Sequence, residues 1–249
     1  LELANVPYVG AGVLASSVAM DKAISKVIFE ACKLPVSPYE VVLRREWIAH
    51  RETIAKYLVK QLGFPMFVKP VNLGSSVGIS KARDRATLES AMDLAAEFDR
   101  KVIVEAAVPE AREIEVAVLG NDAPEASLPG EIIPSREFYD YEAKYLDEGS
   151  RTLVPADLQP SERDTIRKLA VEAFKSLDCA GMARVDFLLS RSTGKVYINE
   201  ANTIPGFTTI SMYSKMWEAS GVPYPVLLDR LITLGLERHA EKQELRTSV

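Results

Sequence analysis

The sequence is poor in the residues that usually carry soft-metal or thiol chemistry. Its 249 residues hold two cysteines, Cys32 and Cys179, and two histidines, His50 and His239. The cysteines lie far apart with no CxxC pair, which excludes a redox dithiol and a zinc knuckle and leaves two free thiols of a reducing cytosol. Both histidines fall in charged helical stretches without metal-ligand spacing. No apolar run approaches the roughly 18 residues of a membrane span, so no membrane partner is expected. Thirty Lys and Arg against 35 Asp and Glu give a net charge of −5. That balance argues against nucleic-acid binding. GxxxxGK[ST] and GxGxxG are both absent, which sets aside a P-loop and a dinucleotide fold. The opening "LELANVPYVGAG" has no initiator Met and no signal-peptide pattern, and it is apolar from the start. A further segment upstream is expected.

What is present is an ordinary globular composition, 47% hydrophobic and 26% charged, enough for one large domain or two modest ones. Helical spacing runs over 20–33 behind Ser16 or Ser17 as caps, over "REWIAHRETIAKYLVKQLG" up to Gly63, over 84–98, and over "PSERDTIRKLAVEAFKSLDC" with Ser161 as cap. Strands are expected at "VSPYEVVL", 64–70, 101–108, 112–120, 183–190 and 196–202. Two further helices are expected near 208–219 and 224–239, while 121–158 reads as a long irregular segment of the kind that forms lids and binding loops. The mixture points to an α+β or mixed α/β fold with antiparallel sheets.

Four stretches carry the chemistry. In "KVYINEANTIP" (195–205) a buried strand ends with Glu200 and Asn202 two residues apart, so alternation turns both to one face. The neighbouring strand places Asp186, with Arg184 two residues earlier, to face them. Three oxygen ligands without Cys or His describe a hard-cation site for Mg2+. A salt-bridged strand pair explains the same residues equally simply. In "FVKPVNLGSSVG" a strand ends in Lys69 and a Gly-Ser loop follows. Such a loop is either a phosphate cradle or an ordinary hairpin turn. "EFYDYEAKY" interleaves tyrosines with charges, as a surface loop or as a lid over a substrate. In "NTIPGFTT", Gly206 allows close approach of the backbone, whose N–H can serve a developing oxyanion.

In this order, "MDK", "FVKP", "GSSVGISK", "FYDYEAKY", "R-x-D" and "NEANTIPGFT" resemble the ATP-grasp superfamily and, within it, the D-alanine–D-alanine ligases, over essentially the whole chain. The resemblance implies an ATP-grasp fold of two α+β subdomains with the nucleotide between two mainly antiparallel sheets. Residues 1–19 would end a preceding α/β domain and linker, 20–108 would form the central subdomain, and 109–249 the C-terminal one. It further implies ATP with two Mg2+ ions, or Mn2+, held by Asp186, Glu200 and Asn202. Lys22, Lys69 and Lys144 match phosphate-contacting lysines. Glu105, Ala106 and Val108 match the adenine hinge, and Glu113 matches the ribose-binding acid. A lysine is usual where Ala106 stands, so contact there falls to the main chain. Ser75 and Tyr145 match the hydrogen-bonded group that closes over the substrate. Arg184 and the Gly206 N–H match the oxyanion donors, and Ser211 the residue that takes the second substrate's carboxylate. The implied protein is a cytoplasmic homodimer joining two D-alanines, and Tyr145 favours D-alanine as the second substrate over D-lactate or D-serine. Another ATP-grasp carboxylate–amine ligase and an inactive ATP-binding fragment are the rival readings.

Overall fold

The computed structural model describes residues 1–133, 151–208 and 211–246, and within them the chain forms two antiparallel sheets with helices packed against them. The smaller sheet contains β1 (Tyr39–Leu43), β2 (Met66–Pro70), β3 (Ser80–Ala82) and β4 (Lys101–Ala106), in the spatial order β1-β4-β2-β3. The larger contains β5 (Ala111–Gly120), β6 (Glu125–Ala126), β7 (Gly130–Ile133), β8 (Arg151–Leu153), β9 (Gly181–Ser190) and β10 (Val196–Asn202). Its order is β10-β9-β5-β7-β8, with β6 paired to β5. The mixed α+β architecture expected from the sequence is the one observed.

The helices are α1 (Val13–Met20), α2 (Lys22–Ala31), α3 (Arg44–Leu62), α4 (Arg85–Phe98), α5 (Pro160–Ser176), α6 (Met212–Ala219) and α7 (Tyr224–Glu244). α3 and α4 cover one face of the smaller sheet, where Val68, Val102 and Val104 meet Trp47, Leu58 and Met92. α1, α2 and α5 cover one face of the larger sheet. There Val116, Val185, Phe187 and Ile198 pack with Phe29, Ile166 and Phe174. Phe29 is fully buried, a contribution of roughly 1.5–3 kcal/mol for a side chain of that size. α6 and α7 cover part of the opposite face through Tyr213, Met216, Trp217 and Leu231.

Three local expectations need correction. The start of α2 is set by Asp21, whose carboxylate accepts from the N–H groups of Ala23 and Ile24; Ser16 and Ser17 belong to the separate helix α1. α1 was not expected, because its eight residues, VLASSVAM, carry no clear apolar stripe. α5 begins at Pro160, where the Gln159 N–H donates to Glu162 Oε2 at 3.0 Å, in place of the Ser161 cap. Within 121–158 the described residues include three strands that were not expected, β6, β7 and β8, each two to four residues long and too short for a periodic signal.

The close approach that joins the N-terminal segment to the larger sheet needs glycine. Gly181 has φ +69°, and a Cβ there would stand 2.9 Å from the Gly10 nitrogen. Backbone cannot yield to that contact as a side-chain tip can. Gly181→Ala is therefore expected to destabilise the protein by about 2 kcal/mol. Thermal unfolding should show this as a fall of roughly 4–8 °C in Tm, and an unchanged Tm would refute the close-contact argument.

Candidate active site

The faces of the two sheets opposite these two cores carry charge, and on the smaller sheet α2 packs against that face through Ala23 beside Ile103. In β4, Val102 and Val104 enter the core, so Ile103 and Glu105 turn the other way. In β2, Val68 is in that core and Lys69, paired with Ile103, is on the far face. In β9, Val185 and Phe187 are in the core, which sends Arg184 and Asp186 to the opposite side. β5 supplies Glu113 and Glu115 to that side by the same alternation.

β10 reaches this arrangement by an irregularity. Ile198 pairs with Phe187 and Glu200 with Asp186, so Asn199 is an extra residue. Ile198 and Ala201 both point into the core. Strict alternation would have put Glu200 and Asn202 on the Ile198 side. The bulge reverses the parity and turns them toward Asp186 and Arg184.

The resulting contacts are dense. Arg184 donates from Nε and Nη2 to the two oxygens of Asp186, each at 2.7 Å, and lies 3.3 Å from Glu115. Burial alone would lower the Arg184 guanidinium, but Asp186 and Glu115 hold it above its ordinary value. Asn202 Nδ2 donates to Asp186 Oδ2 at 2.9 Å. Lys22 Nζ sits 3.4 Å from Glu200 Oε2 and donates to the Leu73 carbonyl at 2.7 Å, tying α2 to the Gly-Ser loop. Lys69 Nζ donates to Glu105 Oε2 at 2.9 Å and to Asn199 Oδ1 at 3.2 Å, which bridges the sheets.

Glu105 also meets Lys26, 3.4 Å away at its other oxygen. Burial would raise the Glu105 carboxyl, yet two ammonium groups hold it below the usual 4.5. Burial lowers the Lys26 ammonium, against the opposing pull of Glu105. Lys26 was missed in the sequence; its spacing of four from Lys22, on one face of α2, was the available signal.

The hinge after β4 is shaped by two prolines. The N–H groups of Ala106 and Ala107 donate to the carbonyls of Pro38 and Pro65, at 2.9 and 3.0 Å. Neither proline can donate in return. The Ala106 carbonyl thus receives nothing from Pro38 and can accept from an exocyclic amine. Val108 follows, half-buried. In the Gly-Ser loop, Ser75, Ser76 and Gly78 all have left-handed backbones. Gly78 also lies against Phe98 and Pro70, where a Cβ would stand 2.8 Å from both side chains. A Cβ on Gly206 would meet Ser211 Oγ at 3.4 Å, and that oxygen accepts from the Thr208 N–H at 3.0 Å, so this pair is also adjacent. Lys144 and Tyr145 lie outside the described residues.

The oxygen donors suit a hard divalent cation. Two carboxylates and an amide on paired strand positions leave coordination places for phosphate oxygens or water, the usual division for Mg2+. Among the described residues no set of three or more His, Cys, Asp and Glu is spaced to enclose a metal without such help.

Two antiparallel sheets, one presenting lysines and a proline-flanked hinge and the other carboxylates, define the ATP-grasp class of fold. A family model described as D-ala D-ala ligase C-terminus matches residues 28–233. D-alanine–D-alanine ligases of Heliobacterium modesticaldum and Solibacter usitatus are 56% and 57% identical to the chain, each over 99% of it and over 67% and 74% of their own lengths. The ligase structure from Coxiella burnetii superposes with a TM-score of 0.86 at 43% identity, over 98% of this chain and 64% of that one. VanG, a D-Ala:D-Ser ligase from Enterococcus faecalis, gives 0.85 at 36% identity, over 94% and 66%. The chain belongs to the D-alanine–D-alanine ligase family, whose members are ATP-dependent ligases, and it spans about two thirds of the length of these relatives.

The Glu105 cluster makes a pH prediction. Its folded carboxyl titrates below the usual 4.5, so its stabilisation is present above that pH and is lost as pH falls through the lower folded value. Circular dichroism from pH 7 to 3 should show acid unfolding that is weaker in Glu105→Gln, whose stability is lower at pH 7 but flatter with pH. Parallel curves for the two proteins would contradict the assignment.

Proposed function

We propose that the protein containing this chain joins two D-alanines into D-alanyl-D-alanine at the expense of ATP, for peptidoglycan precursor synthesis. The observation that carries this reading is the juxtaposition of Lys22 and Lys69 with Asp186, Glu200 and Asn202 across the cleft, in a chain 56% identical to a D-alanine–D-alanine ligase.

In this reading the Ala106 carbonyl and Val108 hold adenine, Glu113 holds the ribose, and Lys22, Lys69 and Lys144 neutralise the phosphates. Asp186, Glu200 and Asn202 hold two Mg2+ ions, or Mn2+, which supply charge neutralisation at the transferring phosphoryl group. A carboxylate oxygen of the first D-alanine attacks the γ-phosphorus and ADP leaves, giving an acyl phosphate. The amine of the second D-alanine then attacks that carbonyl, loses a proton, and expels inorganic phosphate. Arg184 and the Gly206 N–H stabilise the oxyanion formed on the way. Ser211 receives the second carboxylate, while Ser75 and Tyr145 close over the substrate.

Residues 1–19 are read as the end of a preceding α/β domain with its linker, and 20–108 and 109–249 as the central and C-terminal subdomains, although Phe29 and Leu34 pack into the larger sheet's core. The working protein is read as a cytoplasmic homodimer. The likeness to VanG keeps D-serine open as second substrate, and Tyr145 favours D-alanine.

The full-length protein would be given MgATP, D-alanine, D-serine and D-lactate together, with product mass and phosphate release followed. D-alanyl-D-alanine should dominate; a D-serine or D-lactate product would overturn the second-substrate assignment. Asp186→Asn and Glu200→Gln should each lower turnover by about 10²-fold or more. Loss of Arg184 should cost roughly 10²–10³-fold. Tyr145→Phe should relax the preference for D-alanine, and an unchanged product ratio would remove Tyr145 from the specificity argument.

A further inference from the structure

Lys26 is a buried cation that the reaction as described does not use. It is fully buried, one helical turn beyond Lys22. Its ammonium lies 3.4 Å from Glu105 Oε1, donates to Ser37 Oγ at 3.2 Å, and sits 5.6 Å from the centre of the Tyr39 ring. A buried ammonium is costly unless it is paired, and an apolar side chain would fill the same space more favourably. Packing alone therefore gives no reason for a lysine here.

The surrounding geometry supplies one. Glu105 receives Lys26 at Oε1 and Lys69 at Oε2, the latter at 2.9 Å. Lys69 continues to Asn199 Oδ1 at 3.2 Å, and Asn199 is the bulge residue beside Glu200. The line from Ser37 through Lys26, Glu105 and Lys69 to Asn199 runs from the start of the smaller sheet to the rim of the larger. With Lys69 and Glu105 alone, the pair would be neutral, and Lys69 would offer a phosphate no net charge. A second ammonium on the same carboxylate leaves the cluster one positive charge in excess. Its charge, 3.4 Å from Oε1 and with no hydrogen bond to that oxygen, favours the carboxylate orientation that gives Oε2 to Lys69.

We propose that Lys26 is a positioning residue for nucleotide binding. By pairing with Glu105 Oε1 it directs Oε2 to Lys69 and leaves the Lys69 charge available to the phosphates, while the side-chain oxygen Oδ1 of Asn199 fixes the height of that ammonium above the carboxylate sheet. This rests on the reading above, in which Lys69 meets the phosphates. It predicts that Lys26 acts on the phosphate half of the nucleotide and not on the base.

Binding of MgATP and of adenosine to the full-length protein, by titration calorimetry, separates the two halves. Lys26→Met should weaken MgATP about tenfold and adenosine less than about twofold, with KM for ATP raised and KM for D-alanine unchanged. Lys26→Gln keeps hydrogen-bond donors and loses the charge, so it should show the same selective loss, and it supplies the measurement if Lys26→Met does not fold. Thermal melts establish folding in each case. Wild-type affinity for MgATP in either folded variant would overturn the proposal, as would equal losses for MgATP and adenosine. Failure of both variants to fold would assign Lys26 to stability and overturn it as well. Wild-type protein that bound adenosine and MgATP equally would instead sink the placement of Lys69 at the phosphates.

Discussion

The cleft-facing side of the larger sheet depends on the β-bulge at Asn199. Ile198 and Ala201 must both enter the core, where they pack beside Val185 and Phe187. They are three positions apart, an odd step that a regular strand cannot take while keeping both on one face. Inserting Asn199 resolves the conflict and turns Glu200 and Asn202 to the side of Asp186 and Arg184. The extra residue then uses its own amide to reach Lys69 on the other sheet. One backbone irregularity thus orients the carboxylates and supplies a polar contact between the two halves of the cleft.

Carboxylates on both sides have cationic partners. Asp186 is gripped by Arg184, Glu200 faces Lys22, and Glu105 is shared by Lys26 and Lys69. Partly buried carboxylates without such partners would be driven toward protonation and lose their use as oxygen donors. The same pairs determine how a cation or a phosphate would be received: each arriving charge shares a group with a protein partner already in place. Arg184 illustrates this, since the guanidinium that neutralises Asp186 is also the group assigned to the oxyanion. The hinge follows a different logic. Pro38 and Pro65 accept from Ala106 and Ala107 and cannot donate back, so carbonyl acceptors are left at the end of β4 without any charged side chain.

Much of this was legible in the sequence. Alternation placed Asp186 with Arg184, and Glu200 with Asn202, because a period of two is a local property of extended backbone. Gly63 ended α3 as expected, and Lys69 lies in the expected strand, one residue before its end at Pro70. The Asp21 cap was hidden because α1 lacks a clear apolar stripe, so its serines read as caps of the helix that follows. The short strands β6 to β8 were hidden because two to four residues carry no period. Resemblance identified the family at once, but the superposition on a D-Ala:D-Ser ligase is nearly as good as that on a D-alanine–D-alanine ligase. Fold therefore says little about the second substrate.

The sequence by itself determined the longer elements, the mixed architecture and the residue types of the site, because periodicity and motif order are written within short stretches of chain. Tertiary structure alone decided that Lys26 shares Glu105 with Lys69, that Asn199 is the bulge, and that the Ala106 and Ala107 N–H groups are taken by Pro38 and Pro65. Each of these depends on partners far away along the chain, such as Lys69 and Asn199, 130 residues apart. Burial is what makes those distant partners matter, since a charge removed from water must find its counterpart wherever packing has brought one near.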